Sequence, residues 1–356
     1  MLYISKKYIQ KCFEGTLLNN NSKIFSSKPK ISAIIPAYNC ENTIKAAVRS
    51  IQNQNMSEIE IVLVNDNSKD NTFKIIQELA EEDPRIKILN NEKHMATLYS
   101  RNIGILYSKG KYIMNLDNDD LFMNIDLFDI VYKEAETGNF DLIGFSAIQS
   151  KTYYPLLIQM KEAQFHDHKN GLIIYQPELA YFAISINGNY SLNDLHVWGR
   201  LTKTHLYKHV INNFGINAIG ENRNSCFVTW GEDSAMSMAI YKSANSYKFI
   251  KKYGIFHFLG KTTSTHVSKN ELKQYGELFF LDAIFDFSHN TINGKRYSVQ
   301  KIKKDIFKES YILYNEKNTK YLKAIIQKLL NSQYISLEDK KDIKEKLNNL
   351  FLVKKY

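Results

Sequence analysis

Between Ile31 and Asp117 the chain alternates short apolar runs with helix-patterned segments, and this alternation limits its fold more than any other feature. The runs are ISAIIP, IEIVLV, RIKIL and YIMNLD, with helical spacing between them. Ile44, Ala47, Val48 and Ile51 form one apolar stripe with Lys45 and Arg49 outside it. Phe73, Ile76, Leu79 and Ala80 form the next, which Asp83-Pro84 ends, because proline lacks an N–H and disfavours α geometry in the residue before it. Strands of this kind interleaved with amphipathic helices predict an α/β fold, with a mostly parallel central sheet covered by helices on both faces.

After Leu121 the pattern weakens. It gives a helix through 125–136, a strand near Phe140 to Phe145, and an irregular aromatic-rich stretch from 150 to about 195. Order returns over His196 to Val210, in a helix over Glu232 to Ser243, and in helical patterns from about 270 onward. A chain of 356 residues can carry one large α/β domain with a smaller appendage. Cys12, Cys40 and Cys226 are far apart and form no CxxC, so they read as free thiols in a reducing, cytoplasmic setting. The first 30 residues lack the apolar core of a secretory signal, and no apolar run approaches the roughly 20 residues that span a bilayer. Residues 291–356 hold 16 Lys/Arg against 7 Asp/Glu, close to the whole net charge of +10. Such a tail suits either a solvated helical face or peripheral contact with an anionic, cytosolic membrane surface. No nucleic-acid motif accompanies it.

In an open parallel sheet, ligands bind beyond the carboxyl ends of the strands. Three loops there are informative. Pro36-Ala37-Tyr38-Asn39 follows the first strand, and Asn65 to Thr72, containing Asp66, follows the second. Taken alone these are ordinary turn and cap residues. The third, Leu116-Asp117-Asn118-Asp119-Asp120, packs three carboxylates with no Lys or Arg among them. Such a cluster either caps a helix starting near Asn124 as a solvated acidic turn or holds a hard cation such as Mn²⁺ or Mg²⁺. Neither GxGxxG nor a Walker A motif occurs, so phosphates are not cradled by a glycine-rich loop, and a nicotinamide-dependent oxidoreductase is disfavoured.

In series, IIPAYN, VNDNSKDNT, TLYSRNIGI and GKYIMNLDNDDLF resemble the ordered motifs of the family 2 glycosyltransferases of the GT-A fold, followed more weakly by HVWGRLTKTHL and WGEDSAMSM. The resemblance implies a metal-dependent, inverting transferase that moves a sugar from a UDP- or GDP-sugar to a saccharide, lipid-linked or protein hydroxyl. It divides the chain into an N-terminal extension (1–29), a GT-A domain (30–265) and a helical basic C-terminal region (266–356). Within the domain, 30–122 would bind the nucleotide-sugar and 123–265 would face the acceptor. Asp66 would accept a hydrogen bond from the donor base, with Tyr38 against it and Pro36 and Ala37 lining its slot. Asp117 and Asp119 match the DxD metal ligands, with Asp117 also at the nucleotide, and His257 matches a late histidine that can lie near the metal. Arg101 and Asn102 match a pair that steadies the donor loop or packs a helix.

Asp233 matches the catalytic base, although an Asp at the start of a helix also suits a cap. Glu232 would support it or touch the acceptor, while Trp198 and Trp230 read as core, with Trp230, beside the base, also placed to stack on a sugar face of the acceptor. Ala96 stands where the family often has glycine, so a positive φ there would strain the loop. Among the nine histidines, His205 and His209 lack the glutamate of HExxH, and His166 with His168 reads as surface. The tail lies outside the family-like region, so it is expected to be separable from donor turnover. The rival function is a catalytically inactive GT-A-like carbohydrate-binding or scaffold protein.

Overall fold

The computed structural model describes residues 28–150, 164–165, 169–176, 179, 195–259, 271–287, 304 and 315–352. His166, His168, Cys12 and most of 1–29 and 150–195 lie outside the described residues. Strand β1 (Ile31–Ala37) crosses through helix α1 (Ile44–Gln52) to β2 (Ile59–Asn65), α2 (Thr72–Glu82) leads to β3 (Ile86–Asn90), and α3 (Ala96–Tyr107) leads to β4 (Tyr112–Asn115). These four strands are parallel, in the order β3-β2-β1-β4. All seven residues of β1 and of β2 are buried, which explains why they read as continuous apolar runs.

The second half is mixed. The two-residue strand β5 (Leu121–Phe122) precedes α4 (Leu127–Gly138) and β6 (Leu142–Ser150), with the short β7 (Gln164–Phe165) and β8 (Ile173–Tyr175) beyond. Then come β9 (Arg200–Lys203), α5 (Thr204–Asn213), α6 (Glu232–Ser243) and β10 (Ser246–Phe258). The sheet continues β4-β9-β6-β10-β5, with β9 antiparallel to both β4 and β6. The parallel sheet expected from the sequence is therefore the N-terminal half, and an antiparallel strand stitches the two halves together. The direction of connection reverses between β1 and β4, the point in such a sheet above which ligands bind, at the carboxyl ends of the strands.

Helices cover both faces. Ala33, Ile35, Ile61 and Leu63 pack with α1, α2 and α4, while Ile34, Val62 and Val64 pack with α3, α5 and α6. The second face also receives α7 (Glu271–Phe287), α8 (Glu316–Leu330) and, through Ile343, α9 (Leu337–Leu352). Tyr321, Leu322, Ile325, Ile326 and Leu329 of α8 are buried there in the same cluster as Ala239 and Ile240 of α6. An ionic knot reinforces the contact. Arg223 Nη2 reaches Asp282 at 2.7 Å and Asp286 at 2.6 Å, and Lys328 reaches the same carboxylates at 2.8 and 2.6 Å. Charges removed from water persist only when compensated in this way. α8 is therefore not a solvated helical face, because its apolar side completes the core.

Candidate active site

The three loops above the carboxyl ends converge. The Asp66 N–H donates to Ala37 O at 2.8 Å, and Asn118 Nδ2 donates to Pro36 O at 3.1 Å, so all three are tied to the end of β1. A left-handed residue follows each of the first three strands: Asn39 (φ 46°), Asn67 (φ 59°) and, at the first position of α3, Ala96 (φ 66°). Ala96 therefore carries the strain that a missing glycine imposes, as its position in the sequence suggested.

Asp66 is buried, and its carboxylate has three donors. Asn91 Nδ2 (2.7 Å) and the Met95 N–H (2.8 Å) reach one oxygen, and His94 Nδ1 (2.7 Å) reaches the other. The turn role open to Asp66 is real, since it organises the loop entering α3. Tyr38 is exposed, and the His94 ring stacks on it at 3.8 Å and 14°. Pro36 and Ala37 are buried beneath.

The acidic loop does not cap α4, whose cap position is Asp126, and β5 intervenes. Instead, Asp120 is fully buried and accepts hydrogen bonds from His257 Nδ1 (2.9 Å) and the Phe258 N–H (3.0 Å) of β10. Burial and the neighbouring Asp120 and Asp117 push the Asp119 carboxyl up to about 7. Burial pushes Asp120 up to about 6 against the opposing pull of His257. Burial would lower the His257 imidazole, but the Asp120 hydrogen bond and charge overcome this and raise it to about 9. The His257 ring also lies 4.9 Å from Trp198, a core residue as expected.

Arg101 joins this loop to α6. Its side chain is 3% exposed, with Nη2 donating to Asp117 at 2.8 Å and Nη1 donating to Asp233 at 2.7 Å. Burial disfavours the guanidinium charge, yet Asp233 and Asp117 hold it firmly protonated. Asp233 is not the helix cap. Gly231 occupies the cap position in left-handed geometry, and Asp233 lies within the first turn of α6. Burial raises its carboxyl above the ordinary range against the pull of Arg101. Beside it, burial and the charge of Asp233 push Glu232 up to about 8. The entry to α6 is fixed from behind by α7. A Cβ on Gly276 would stand 2.2 Å from Trp230 O, and one on Gly231 would stand 3.0 Å from Gly276 O. Trp230 is held there by its backbone, with Lys273 over its ring at 5.9 Å.

Asp117, Arg101 and Asp233 are thus brought into one chain of contacts, as are Tyr38 and Asp66 through His94. His205 and His209 are exposed on α5. Reasoning from sequence gave Asp120 no role of its own and passed over His94. The third carboxylate of the acidic loop and a ring two residues before Ala96 were the available signals.

Among the described residues, no three His, Cys, Asp or Glu side chains converge as a ready-made metal cage. The donor chemistry nonetheless fits a hard cation. Burial first, and then the charges of Asp120 and Asp117, raise the Asp119 carboxyl to about 7, and a divalent ion would offset both. His257, oriented through Nδ1 by Asp120, would give up the proton on its other nitrogen to a bound cation, completing the carboxylate–histidine arrangement common at metal sites.

Residues 32–210 match the model of glycosyl transferase family 2. An uncharacterized glycosyltransferase, EpsJ, of Bacillus subtilis is 31% identical over 160 residues, covering 41% of this chain and 46% of that one. The GalNAc(5)-diNAcBac-PP-undecaprenol beta-1,3-glucosyltransferase of Campylobacter jejuni is 34% identical over 109 residues, covering 30% of this chain and 35% of that one. The chain therefore spans less than half the length of these curated relatives. Among solved structures, S. aureus TarS 1-349 in complex with UDP-GlcNAc superimposes with a TM-score of 0.60 at 14% identity, over 90% of this chain and 92% of that one. Sheet, helices and motif order together define a GT-A fold. The chain belongs to glycosyl transferase family 2.

Proposed function

We propose that this chain is an inverting glycosyltransferase that moves a sugar from a nucleotide-diphosphate donor to a hydroxyl acceptor. The observation that carries the reading is the Arg101 bridge, which sets Asp233 one guanidinium away from Asp117. Asp66 and Tyr38 bind the base, a pairing that suits uracil or guanine, whose ring N–H can donate to a carboxylate. The neighbour solved with UDP-GlcNAc supports a uridine donor. Asp117, Asp119 and His257 would hold a Mn²⁺ or Mg²⁺ ion, which supplies positive charge to the departing diphosphate.

Asp233 accepts the acceptor's hydroxyl proton while that oxygen attacks the anomeric carbon from the face opposite the leaving group. The bond from carbon to diphosphate oxygen breaks, and configuration inverts. Arg101 keeps Asp233 ionised and aimed. Glu232, protonated at neutral pH, can donate a hydrogen bond to the acceptor, and Trp230 stands beside it.

A lipid-linked saccharide acceptor is favoured by the Campylobacter relative, whose name specifies such a substrate. No helix among the described residues is long and apolar enough to cross a membrane. The basic residues of 291–356 would instead hold a cytoplasmic enzyme against an anionic bilayer. The test is nucleotide release from a panel of UDP- and GDP-sugars, with Mn²⁺ or with EDTA. Release from one donor class, dependent on the ion, is expected. No release from any donor overturns the proposal in favour of a non-catalytic carbohydrate-binding protein.

A further inference from the structure

We propose that His94 is an internal stand-in for the donor's nucleobase, and that its ring must leave Tyr38 and Asp66 before the donor can bind. The inference rests on the nucleotide-donor reading above and adds a residue which that reading does not use.

Two features of the base slot are already taken. The stacking face of Tyr38 carries the His94 ring at 3.8 Å and 14°, the geometry a planar base would adopt. Asp66 offers two oxygens, one of which is engaged by Asn91 and Met95 as part of the loop's own framework. Its other oxygen is met by His94 Nδ1 at 2.7 Å, and a carboxylate can only accept, so an imidazole N–H points where a base N–H would point. One side chain thus satisfies both partners of the slot. Asp66 is only 2% exposed with His94 in place, so the ring, itself a third exposed, is what stands between this oxygen and solvent.

The exchange needs little movement. Asn91 is anchored by its N–H on Asn65 O at 2.9 Å and by its side chain on Ser100 Oγ at 2.9 Å, while the Met95 N–H is anchored on Asp66. Both flanks of the loop are pinned, and rotation of the part-exposed His94 side chain is sufficient. On its other side the ring meets Phe227 edge-on at 5.0 Å. Phe227 lies in the loop leading to Gly231 and Asp233, so the ring also touches the segment that carries the proposed base.

A state that must be vacated lowers apparent affinity in proportion to its population. If the plugged form holds about nine-tenths of the molecules, removing the ring tightens binding by about tenfold. The experiment titrates the full chain with UDP, and separately with GDP, in Mn²⁺ by calorimetry, comparing wild type with His94→Ala and His94→Asn. Wild-type protein with isotope-labelled histidine is followed in parallel by NMR. Tighter nucleotide binding by both variants is expected. So is a His94 resonance that loses its ring-current shift from Tyr38 as UDP is added. Equal or weaker binding by the variants overturns the proposal, as does a His94 signal unmoved at saturation. Should the variants fail to fold, the wild-type resonance decides alone. If wild type, variants and Asp66→Asn all ignore UDP and GDP, the donor reading itself falls and takes the inference with it.

Discussion

Arg101 and Asp233 are separated by 132 positions in the chain, yet a guanidinium nitrogen of the first lies 2.7 Å from a carboxylate oxygen of the second. The same guanidinium holds Asp117 at 2.8 Å, so one buried cation serves both ends of the proposed reaction. Breaking such a pair leaves an uncompensated charge, which costs about 3–5 kcal/mol.

Asp233→Asn is expected to keep nucleotide affinity and lose transfer by about 10²–10⁴-fold, the usual contribution of a general base. Single-turnover transfer alongside UDP titration checks this. Transfer at a near wild-type rate would reassign the base and make Glu232 the next residue to replace.

The pH dependence follows from the same contacts. Asp233 already titrates above its ordinary value, so the acid limb of the rate profile should lie above pH 3.8. Arg101→Met removes the charge that favours the ionised form, and the limb should move further up. Stability carries a second signal through Glu232, raised from 4.5 to about 8. The folded state keeps a proton that the unfolded chain has lost, so this group's contribution is full below pH 4.5 and falls as pH rises toward 8. Denaturant titrations of Glu232→Gln should show a shallower decline over that window, and an unchanged slope would exclude Glu232 as its source.

Ala96 sits at φ 66° at the entry to α3. Glycine relieves about 1–2 kcal/mol of left-handed strain against about 0.4–1 kcal/mol of chain entropy, so Ala96→Gly should hold or raise Tm. Ala96→Val, β-branched in the same geometry, should lower it. Thermal melts showing the reverse order would mean that the loop relaxes out of positive φ.

Removal of residues 288–356 is expected to abolish folding. It strips five buried apolar side chains of α8 from the core, each contributing about 1.5–3 kcal/mol, and takes Lys328 from Asp282. That total rivals the about 5–15 kcal/mol that holds a whole domain. Near-ultraviolet dichroism and dye binding would reveal the collapse, whereas a truncated chain that melts cooperatively would show the tail to be an appendage after all.

Much of the framework was legible because it is local. The apolar runs gave β1 to β4, and the spacing over Glu232 to Ser243 gave α6 to the residue. What escaped depends on partners distant in sequence. Asp120 and His257 stand 137 positions apart, and Asp66 and His94 stand 28 apart. The core-facing side of α8 escaped for another reason. Tyr321, Leu322, Ile325, Ile326 and Leu329 fall on one helical stripe, but the surrounding lysines drew the reading toward charge. The glycine-like geometry of Ala96 was anticipated because only a change of residue type was needed to see it.

The contact between Gly231 and Gly276 couples the inheritance of two distant segments. A Cβ on Gly276 would run into the Trp230 carbonyl at 2.2 Å, and one on Gly231, already at φ 79°, would press on Gly276 O at 3.0 Å. A hybrid that grafts the C-terminal helices of one such protein onto the sheet of another must therefore carry both glycines together, or its acidic pair at the head of α6 will point elsewhere. The boundary at which this molecule can be recombined lies beyond α8, whose Lys328 pairs with Asp282 and Asp286 of α7, and not before α7.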